Sequence, residues 1–261
     1  MKSIRSRDNS FYKELAKLSG SARQRNKSGQ TLLDGAHLLA AYLDSGNQPQ
    51  HILLNAEALR DEEIAGLLQR IKNVPATLLD DSLFAGLSEL KTPSGILALI
   101  EVPHSDIPVS QGRFALLLED IQDPGNLGSI LRSAAAAGCD AVFLSRACAD
   151  AWSPKVLRAA MGGHFALNIH EHADLTDIAA RFNGTVFAAT LQTRESLYGY
   201  DYTGNVAFVF GNEGSGLSPQ LVDAVHHAIL IPMAGKVESL NAAAAAAVCL
   251  FEAARQRHRI A

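Results

Sequence analysis

The stretch FALLLEDIQDPGNLGSILRSAAAAGC, residues 114–139, joins an unbroken apolar run to an alanine-rich segment through a short loop containing glycine and asparagine. A short apolar run without alternation is typical of a strand buried on both faces of a parallel sheet. Glycine and asparagine near a helix start leave backbone N–H groups pointing outward. The stretch therefore predicts a strand, a loop and a helix, which is the repeating unit of an α/β fold.

Apolar runs of the same kind recur at AVFLS (141–145), FALNI (165–169), TVFAAT (185–190), VAFVF (206–210) and AILIP (228–232). Predicted helical segments separate these runs. A serine–proline pair suits the start of a helix over 154–161, and an asparagine–glycine pair suits the end of a helix over 174–182. Six parallel-type strands with helices between them predict a doubly wound α/β domain.

A smaller α/β unit precedes this domain. Helical patterns alternate there with short apolar runs, the former over 31–45, 61–72 and 81–88 and the latter over 51–55, 76–79 and 95–102. Two prolines and several turn formers in PHSDIPVSQG indicate a linker. We therefore expect a basic segment over 1–27, a small α/β domain over 28–102, the linker over 103–112 and the larger domain over 113–261.

Charge is distributed unevenly along the chain. Residues 1–27 hold eight lysines and arginines against two acidic residues, a net charge of +6, whereas the whole chain carries −4. A concentrated basic segment is typical of an arm that contacts nucleic-acid phosphates, here through Arg23, Arg25 and Lys27. The same segment spaces its apolar residues on one stripe, so it could equally be a solvated amphipathic helix. The stripe consists of Phe11, Leu15 and Leu18.

The composition is that of a globular protein. The chain has 261 residues, of which 48% are hydrophobic and 19% are charged. Its first ten residues contain no apolar run, and no stretch is apolar for long enough to span a membrane. Cys139, Cys148 and Cys249 are isolated in sequence, which suits buried thiols in a reducing compartment. We expect a cytoplasmic location and no membrane contact.

Three unusual stretches follow predicted strands, namely EDIQDPGNLGSILRSAAAAGC (119–139), FGNEGSGLS (210–218) and IPMAGKVESLNAAAAAA (231–247). Ligands of parallel sheets bind beyond the carboxyl ends of the strands, where these stretches lie. Each stretch alone also has a purely structural explanation: a capped turn, a loop that needs positive φ, or a helix pressed against a sheet.

Several common sites are excluded. The chain has no GxxxxGK[ST] phosphate loop, and GNEGSG lacks the spacing of the dinucleotide-binding GxGxxG. Four histidines have neither a cysteine nor a third histidine at ligand spacing, so we expect no metal; they are His170, His172, His226 and His227.

Taken together, the three stretches resemble motifs one, two and three of the SpoU (TrmH-type) RNA ribose methyltransferases of the SPOUT superfamily, in order and in spacing. The segments GQTLLDGAHLL, HILLN and LSELKTPSGILALIE also resemble the substrate-binding domain that precedes the catalytic domain in many members. One departure is Asp34-Gly35, which stands where Glu-Gly is usual.

The resemblance implies a fold that periodicity cannot reveal. The C-terminal parallel sheet would be tied in a trefoil knot and would dimerise through helices beside the knot. The alanines from 242 to 247 would let their helix lie close to the knot and to the partner, where a buried unpaired charge is costly.

The resemblance also implies an S-adenosylmethionine-dependent RNA (ribose-2′-O)-methyltransferase that acts on structured RNA. The long N-terminal domain favours ribosomal RNA over transfer RNA. The residues implied to face the cofactor are Thr190, Gly211, Ile231 and Leu240, with Gly211 leaving space for the ligand. The residues implied to form the ribose site are Arg132, Asn126, Glu213, Ser239 and Asn241.

The chemistry constrains these roles. A sulfonium methyl group is already a good electrophile, so no metal is needed, whereas the hydroxyl must be aligned and must lose a proton. The family assigns this activation to Arg132, but a guanidinium stays protonated. We therefore expect Arg132, just inside the helix and near the positive end of its dipole, to position the hydroxyl and its phosphate through a bidentate fork. Glu213 is expected to hold loop geometry.

Two other functions remain open at this point. The first is a SPOUT-like RNA-binding protein without activity, against which the intact Arg132, Glu213 and Asn241 count. The second is a nucleotide-dependent α/β enzyme acting on a small molecule, which the basic segment and the missing phosphate loop disfavour.

Overall fold

The computed structural model describes residues 1–90, 92–103, 113–235 and 237–258. Of the predicted linker, residues 104–112 lie outside this description. The chain divides into two compact units, Met1–Pro103 with Trp152–Phe165, and His104–Ala151 with Ala166–Ala261. No helix within the described residues is long and apolar enough to cross a membrane.

The helices are α1 (Ser10–Gly20), α2 (Ala22–Ser28), α3 (Ala36–Asp44), α4 (Glu62–Arg70), α5 (Asp81–Ala85), α6 (Pro124–Ala137), α7 (Pro154–Ala160), α8 (Leu175–Arg181), α9 (Pro219–Ala224) and α10 (Ala242–His258). The strands are β1 (Lys2–Ile4), β2 (Gln30–Asp34), β3 (His51–Leu54), β4 (Ala76–Leu79), β5 (Ile96–Glu101), β6 (Phe114–Leu118), β7 (Ala141–Leu144), β8 (Asn168–His170), β9 (Thr185–Ala189), β10 (Val206–Phe210) and β11 (His227–Ile229).

The first unit is built on a mixed sheet with the strand order β1-β4-β3-β5-β2. The pairs β1/β4 and β4/β3 are parallel, and β5 runs antiparallel to both β3 and β2. Residues 1–27 belong to this unit. The Asn9 side chain caps α1, which buries Tyr12, Leu15 and Leu18 against the sheet, while Phe11 is half-buried.

The helix predicted over 31–45 is wrong in its first third. Residues Gln30–Asp34 form β2, which pairs with β5, and α3 begins only at Ala36. Gly35, with φ +108°, separates the two elements in a backbone conformation that other residues rarely adopt. A buried strand and a buried helix turn are equally apolar, so the pairing with β5 decided between them and periodicity could not.

The segment 152–165 leaves the second unit and packs in the first. The Thr31 hydroxyl donates to the Trp152 carbonyl oxygen at 2.7 Å, and α7 packs against β2. The Tyr42 and Phe165 rings make an edge contact at 5.1 Å between centroids. The helix predicted over 154–161 is confirmed, with the Ser153 side chain capping it, but it lies outside the compact unit of the larger sheet.

The second unit contains a parallel sheet with the strand order β11-β9-β10-β6-β7-β8. Every described pair in it runs parallel. All residues of β6 and β10 are buried, as expected for strands covered on both faces. Helix α10 packs against α6 and β10, and α8 packs against α9. The predicted α/β class with a C-terminal parallel sheet is confirmed.

The strand predicted over 165–169 is displaced. A 3-10 turn occupies Gly163–Ala166, and β8 begins at Asn168, opposite Ala141. Phe165 supplies its apolar surface to Tyr42 of the first unit instead, which explains why an apolar residue there does not continue into the strand.

Candidate functional site

A cavity of about 330 Å³ opens at the carboxyl ends of β9, β10 and β11. Its walls come from the loops that follow these strands and from the start of α10. All four residues expected to face the cofactor line it, namely Thr190, Gly211, Ile231 and Leu240. Ser239 and Glu213, which were expected in the ribose site, line it as well.

The cavity presents apolar surface to its opening. Leu191 is 57% exposed and Leu240 is 39% exposed, although both are lining residues. Exposed apolar side chains grouped around a concave opening indicate a ligand that covers them. The size and mixed lining fit a molecule with a flat aromatic ring and a polar chain, as S-adenosylmethionine has.

The loop after β10 is folded tightly on itself. The Asn212 Oδ1 atom accepts the N–H groups of Gly214 at 2.8 Å and Ser215 at 3.1 Å. The Gly216 N–H donates to the Asn212 carbonyl at 2.9 Å, and Gly216 has φ +71°. A Cβ atom on Gly211 would collide with the Gly216 carbonyl group. Gly211 is therefore required by the loop itself, whereas the sequence had suggested that it leaves space for a ligand.

Three of the predicted ribose-site residues form one hydrogen-bonded chain. Asn241 Nδ2 donates to Asn126 Oδ1 at 3.0 Å, and Asn126 Nδ2 donates to Glu213 Oε1 at 2.5 Å. These contacts join residues that lie 115 and 87 positions apart in the sequence. The three motif stretches therefore meet in space at this chain of hydrogen bonds.

The helix caps leave these side chains available. Asp123, not Asn126, caps α6, because its Oδ1 accepts the Asn126 N–H at 2.8 Å. Asn241 caps α10 with its oxygen, which accepts the N–H groups of Ala243 and Ala244, while its amide nitrogen reaches Asn126. Ser239 does not cap the helix start in this way but lines the cavity.

Arg132 lies apart from the hydrogen-bonded chain of Asn241, Asn126 and Glu213. It is the ninth residue of the 14-residue α6. The expectation that it lies near the positive end of the helix dipole is therefore wrong. Its side chain is exposed and makes no hydrogen bond or ion pair with the rest of the described chain. Side chains on a helix lean toward its N-terminus, which directs Arg132 back over the turn that contains Gly128 and Ser129.

Sequence reasoning missed two residues at the end of β6. Glu119 accepts both the N–H and the hydroxyl of Ser218, at 2.7 and 2.6 Å. Asp120, with φ +56°, offers its carbonyl to Asn212 Nδ2 at 2.9 Å. Two acidic residues directly after a fully buried strand were the available signal, but their partners lie 99 and 92 positions away.

Residues 113–251 match the family model described as the SpoU rRNA Methylase family, and residues 9–98 match the MRM3-like substrate binding domain. The chain belongs to the SpoU rRNA methylase family. The resemblance seen in the sequence motifs is thereby confirmed.

Relatives in this SpoU family match nearly the full chain. An uncharacterized tRNA/rRNA methyltransferase of Synechocystis is 34% identical, covering 98% of this chain and 94% of the relative. The 23S rRNA (guanosine(2553)-2′-O)-methyltransferase RlmP of Bacillus subtilis is 31% identical over 96% of this chain and 98% of its own. The crystal structure of the SpoU methyltransferase AviRb of Streptomyces viridochromogenes with AdoMet superposes with a TM-score of 0.83, at 26% identity, covering 96% of this chain and 100% of AviRb.

The three cysteines and His170 of this SpoU family member do not line the cavity. Burial raises the pKa of Cys249 to about 12 and also raises those of Cys139 and Cys148, so the three thiols stay protonated near neutral pH. His170 stacks on Phe143, and burial lowers its pKa. The part of the chain that the structure describes contains no group of three or more metal-ligating side chains.

Proposed function

We propose that the protein transfers a methyl group from S-adenosylmethionine to a ribose 2′-OH of ribosomal RNA. The observation that carries the proposal is the meeting of a cofactor-sized cavity with the Asn241–Asn126–Glu213 chain at the carboxyl edge of the parallel sheet. Membership of the SpoU family and the rRNA methyltransferase activity of the Bacillus subtilis relative support the substrate. Transfer RNA is the alternative substrate for the same chemistry.

The cofactor would be held by the loops at the ends of β9, β10 and β11. Thr190, Gly211 and Ile231 follow the three strands directly or closely, and Leu240 covers the cavity from the segment before α10. When bound, S-adenosylmethionine supplies an electrophilic methyl group on a sulfonium centre. The protein surrounds it with preformed loops, which reduces the entropy lost on binding.

The ribose would be aligned by the polar chain beside the cavity. Asn126 uses one amide hydrogen to Glu213 and its oxygen to Asn241, which fixes the plane of its amide. Its second amide hydrogen, the other Glu213 oxygen and the Ser239 hydroxyl can then receive or direct a substrate hydroxyl. Glu213 thus orients Asn126, and Arg132 holds the hydroxyl and the adjacent phosphate through its planar fork.

The first unit would bind the RNA. Arg23 and Lys27 are exposed and four residues apart on α2, so they share one face for phosphate contact. Arg25 has a different role, because it is 5% exposed and its guanidinium donates to the carbonyl oxygens of Leu18 and Ser19.

The knot, the homodimer and the cytoplasmic location complete the proposal. The exposed apolar side chain of Phe251 and the neighbouring small residues of α10 support a dimer through that helix. The three free cysteines support a reducing compartment.

The test is methyl transfer by the purified full-length chain from labelled S-adenosylmethionine to ribosomal and transfer RNA. Nuclease mapping of the label should place it on a ribose 2′-oxygen of ribosomal RNA. Label on transfer RNA alone would move the protein to the alternative substrate. RNA binding without methyl transfer to any RNA would leave a SPOUT-like RNA-binding protein without activity.

A further inference from the structure

The loop that lines the cofactor cavity is attached at both ends to the two residues that follow β6. Asn212, at its start, donates to the Asp120 carbonyl oxygen, and Ser218, just after its end, donates twice to Glu119. We infer that Asn212 and Glu119 are positioning residues, which hold the loop 212–217 in the shape that accepts the cofactor. The inference rests on the proposed function.

The anchor for Asn212 is itself rigid. Asp120 has φ +56°, a left-handed conformation that costs free energy for a residue with a side chain. Its N–H donates to Ser145 Oγ at 2.9 Å, and the Ser145 hydroxyl donates back to Asp120 Oδ1 at 2.6 Å. These reciprocal bonds keep the strained residue in place, so the carbonyl group of Asp120 is a fixed acceptor.

The amide of Asn212 has two separate functions. Its oxygen accepts the N–H groups of Gly214 and Ser215 and closes the turn inside the loop. Its nitrogen donates to Asp120 and ties that turn to the loop after β6. Glu213 follows directly, and its bond to Asn126 depends on where the turn is held.

Glu119 holds the other end of the same loop. Its two carboxylate oxygens each accept one hydrogen bond from Ser218, which is also the N-cap of α9. Charge-assisted bonds of this length are stronger than bonds between neutral groups. Loss of either tie should leave the buried strands intact and loosen only the wall of the cavity.

The two functions of Asn212 can be separated by substitution. Asn212→Asp keeps an oxygen that closes the turn but removes the donor to Asp120, whereas Asn212→Ala removes both. Glu119→Gln leaves a single acceptor for the two Ser218 donors. Asn205→Asp is the matched control, because Asn205 Nδ2 donates to the Asn183 carbonyl oxygen at 2.9 Å before the opposite end of β10.

The experiment is calorimetric titration of the full-length variants with S-adenosylmethionine in the absence of RNA. We expect Asn212→Asp and Glu119→Gln each to raise the Kd about five- to tenfold, the scale of removing one hydrogen bond. Asn212→Ala should be at least as weak as Asn212→Asp, and Asn205→Asp should stay within about twofold of wild type.

The outcomes separate this inference from the proposed function. If wild type binds the cofactor and both Asn212→Asp and Glu119→Gln match its Kd, the ties do not position the loop. A fall in melting temperature with an unchanged Kd would give them a purely structural role and overturn the inference. If wild type binds no S-adenosylmethionine, the proposed function fails and takes the inference with it. Should one variant not fold, the other decides.

Discussion

At the scale of single residues, the side chain of Arg132 contributes little to the stability of the fold. It is exposed on α6, and none of the described residues bonds to its guanidinium. Exposed helix positions without partners contribute little to stability. Since the fold gains little from this arginine, we expect its guanidinium to contact the RNA substrate.

We expect Arg132→Ala to leave folding and cofactor binding nearly unchanged and to slow methyl transfer at least about a hundredfold, the scale of removing one interaction with the transition state. Arg132→Lys should recover little, because an ammonium keeps the charge but loses the planar fork. Single-turnover methylation of the RNA is the measurement. A lysine variant with the wild-type rate would exclude bidentate positioning, and an alanine variant with that rate would remove Arg132 from the mechanism.

Asp34 predicts a pH effect on stability. Burial raises its pKa above the ordinary value of 3.8, and its Oδ1 atom is buried without a partner among the described residues. The unfolded chain therefore releases this proton at a lower pH than the folded chain does. The contribution of Asp34 to stability must fall as the pH rises through 3.8 and then through the raised pKa of the folded state.

Asp34→Asn removes this titration while an oxygen can still accept from Ser88 and from the Glu89 N–H. We expect the stability of the variant relative to wild type to improve as the pH is raised from about 3.5 to 7. Denaturant unfolding at several pH values measures the difference, from which carboxylates common to both proteins cancel. A difference that does not change with pH would contradict the assignment.

At the scale of elements, the loop between β10 and α9 shows why a glycine can be required without any ligand. Gly211 faces the backbone of Gly216, which lies five residues later, and no side chain fits between them. The sequence indicated the glycine but not its reason. A substitution of Gly211 therefore tests the packing of the loop as well as the binding of the cofactor.

Gly211→Ala should therefore disturb the loop before any cofactor is present. We expect a loss of about 1–3 kcal/mol in the free energy of unfolding, together with weaker cofactor binding. Gly214→Ala is the control, since a Cβ there meets only the Asn212 side chain at 3.4 Å. If Gly211→Ala keeps the wild-type stability and loses only cofactor binding, Gly211 contacts the ligand directly and is not required by the loop.

At the scale of the whole molecule, net charge is distributed unevenly along the chain. The chain carries −4 overall, yet residues 1–27 carry +6 and belong to the compact unit that matches the MRM3-like substrate binding domain. Part of this charge is structural, because the Arg25 guanidinium donates to the carbonyl oxygens of Leu18 and Ser19 in the last turn of α1. The charge available for RNA contact in this segment is therefore smaller than the sequence count.

Neutralising Arg23 and Lys27 together should weaken RNA binding and reduce the slope of log K against log salt by up to about one unit for each RNA phosphate that is no longer neutralised. Cofactor affinity should not change. Arg25→Gln should instead lower the free energy of unfolding by about 1–3 kcal/mol and leave the slope as it is. Filter binding over a salt series gives both slopes, and an unaltered slope for the double variant would make α2 a solvated helix only.

The sequence by itself determined the features that depend on neighbouring residues. Strands β6, β7, β9 and β10 follow from short apolar runs, the start of α7 follows from Ser153 and Pro154, and the motif stretches identify the family. In each case the signal lies within a few residues of the element it specifies. The cavity-lining residues Thr190, Gly211, Ile231 and Leu240 could be named only through the resemblance of these motif stretches to the family.

Only the tertiary structure decided the features that depend on partners far along the chain. Residues 30–34 are a strand because β5 lies beside them, and 152–165 pack in the first unit because β2 and α3 supply a surface for them. Glu119 meets Ser218 and Asn126 meets Glu213 because parallel strands bring distant loops to one edge of a sheet. The free energy of these contacts is gained between elements, so no local pattern of apolar or capping residues records it.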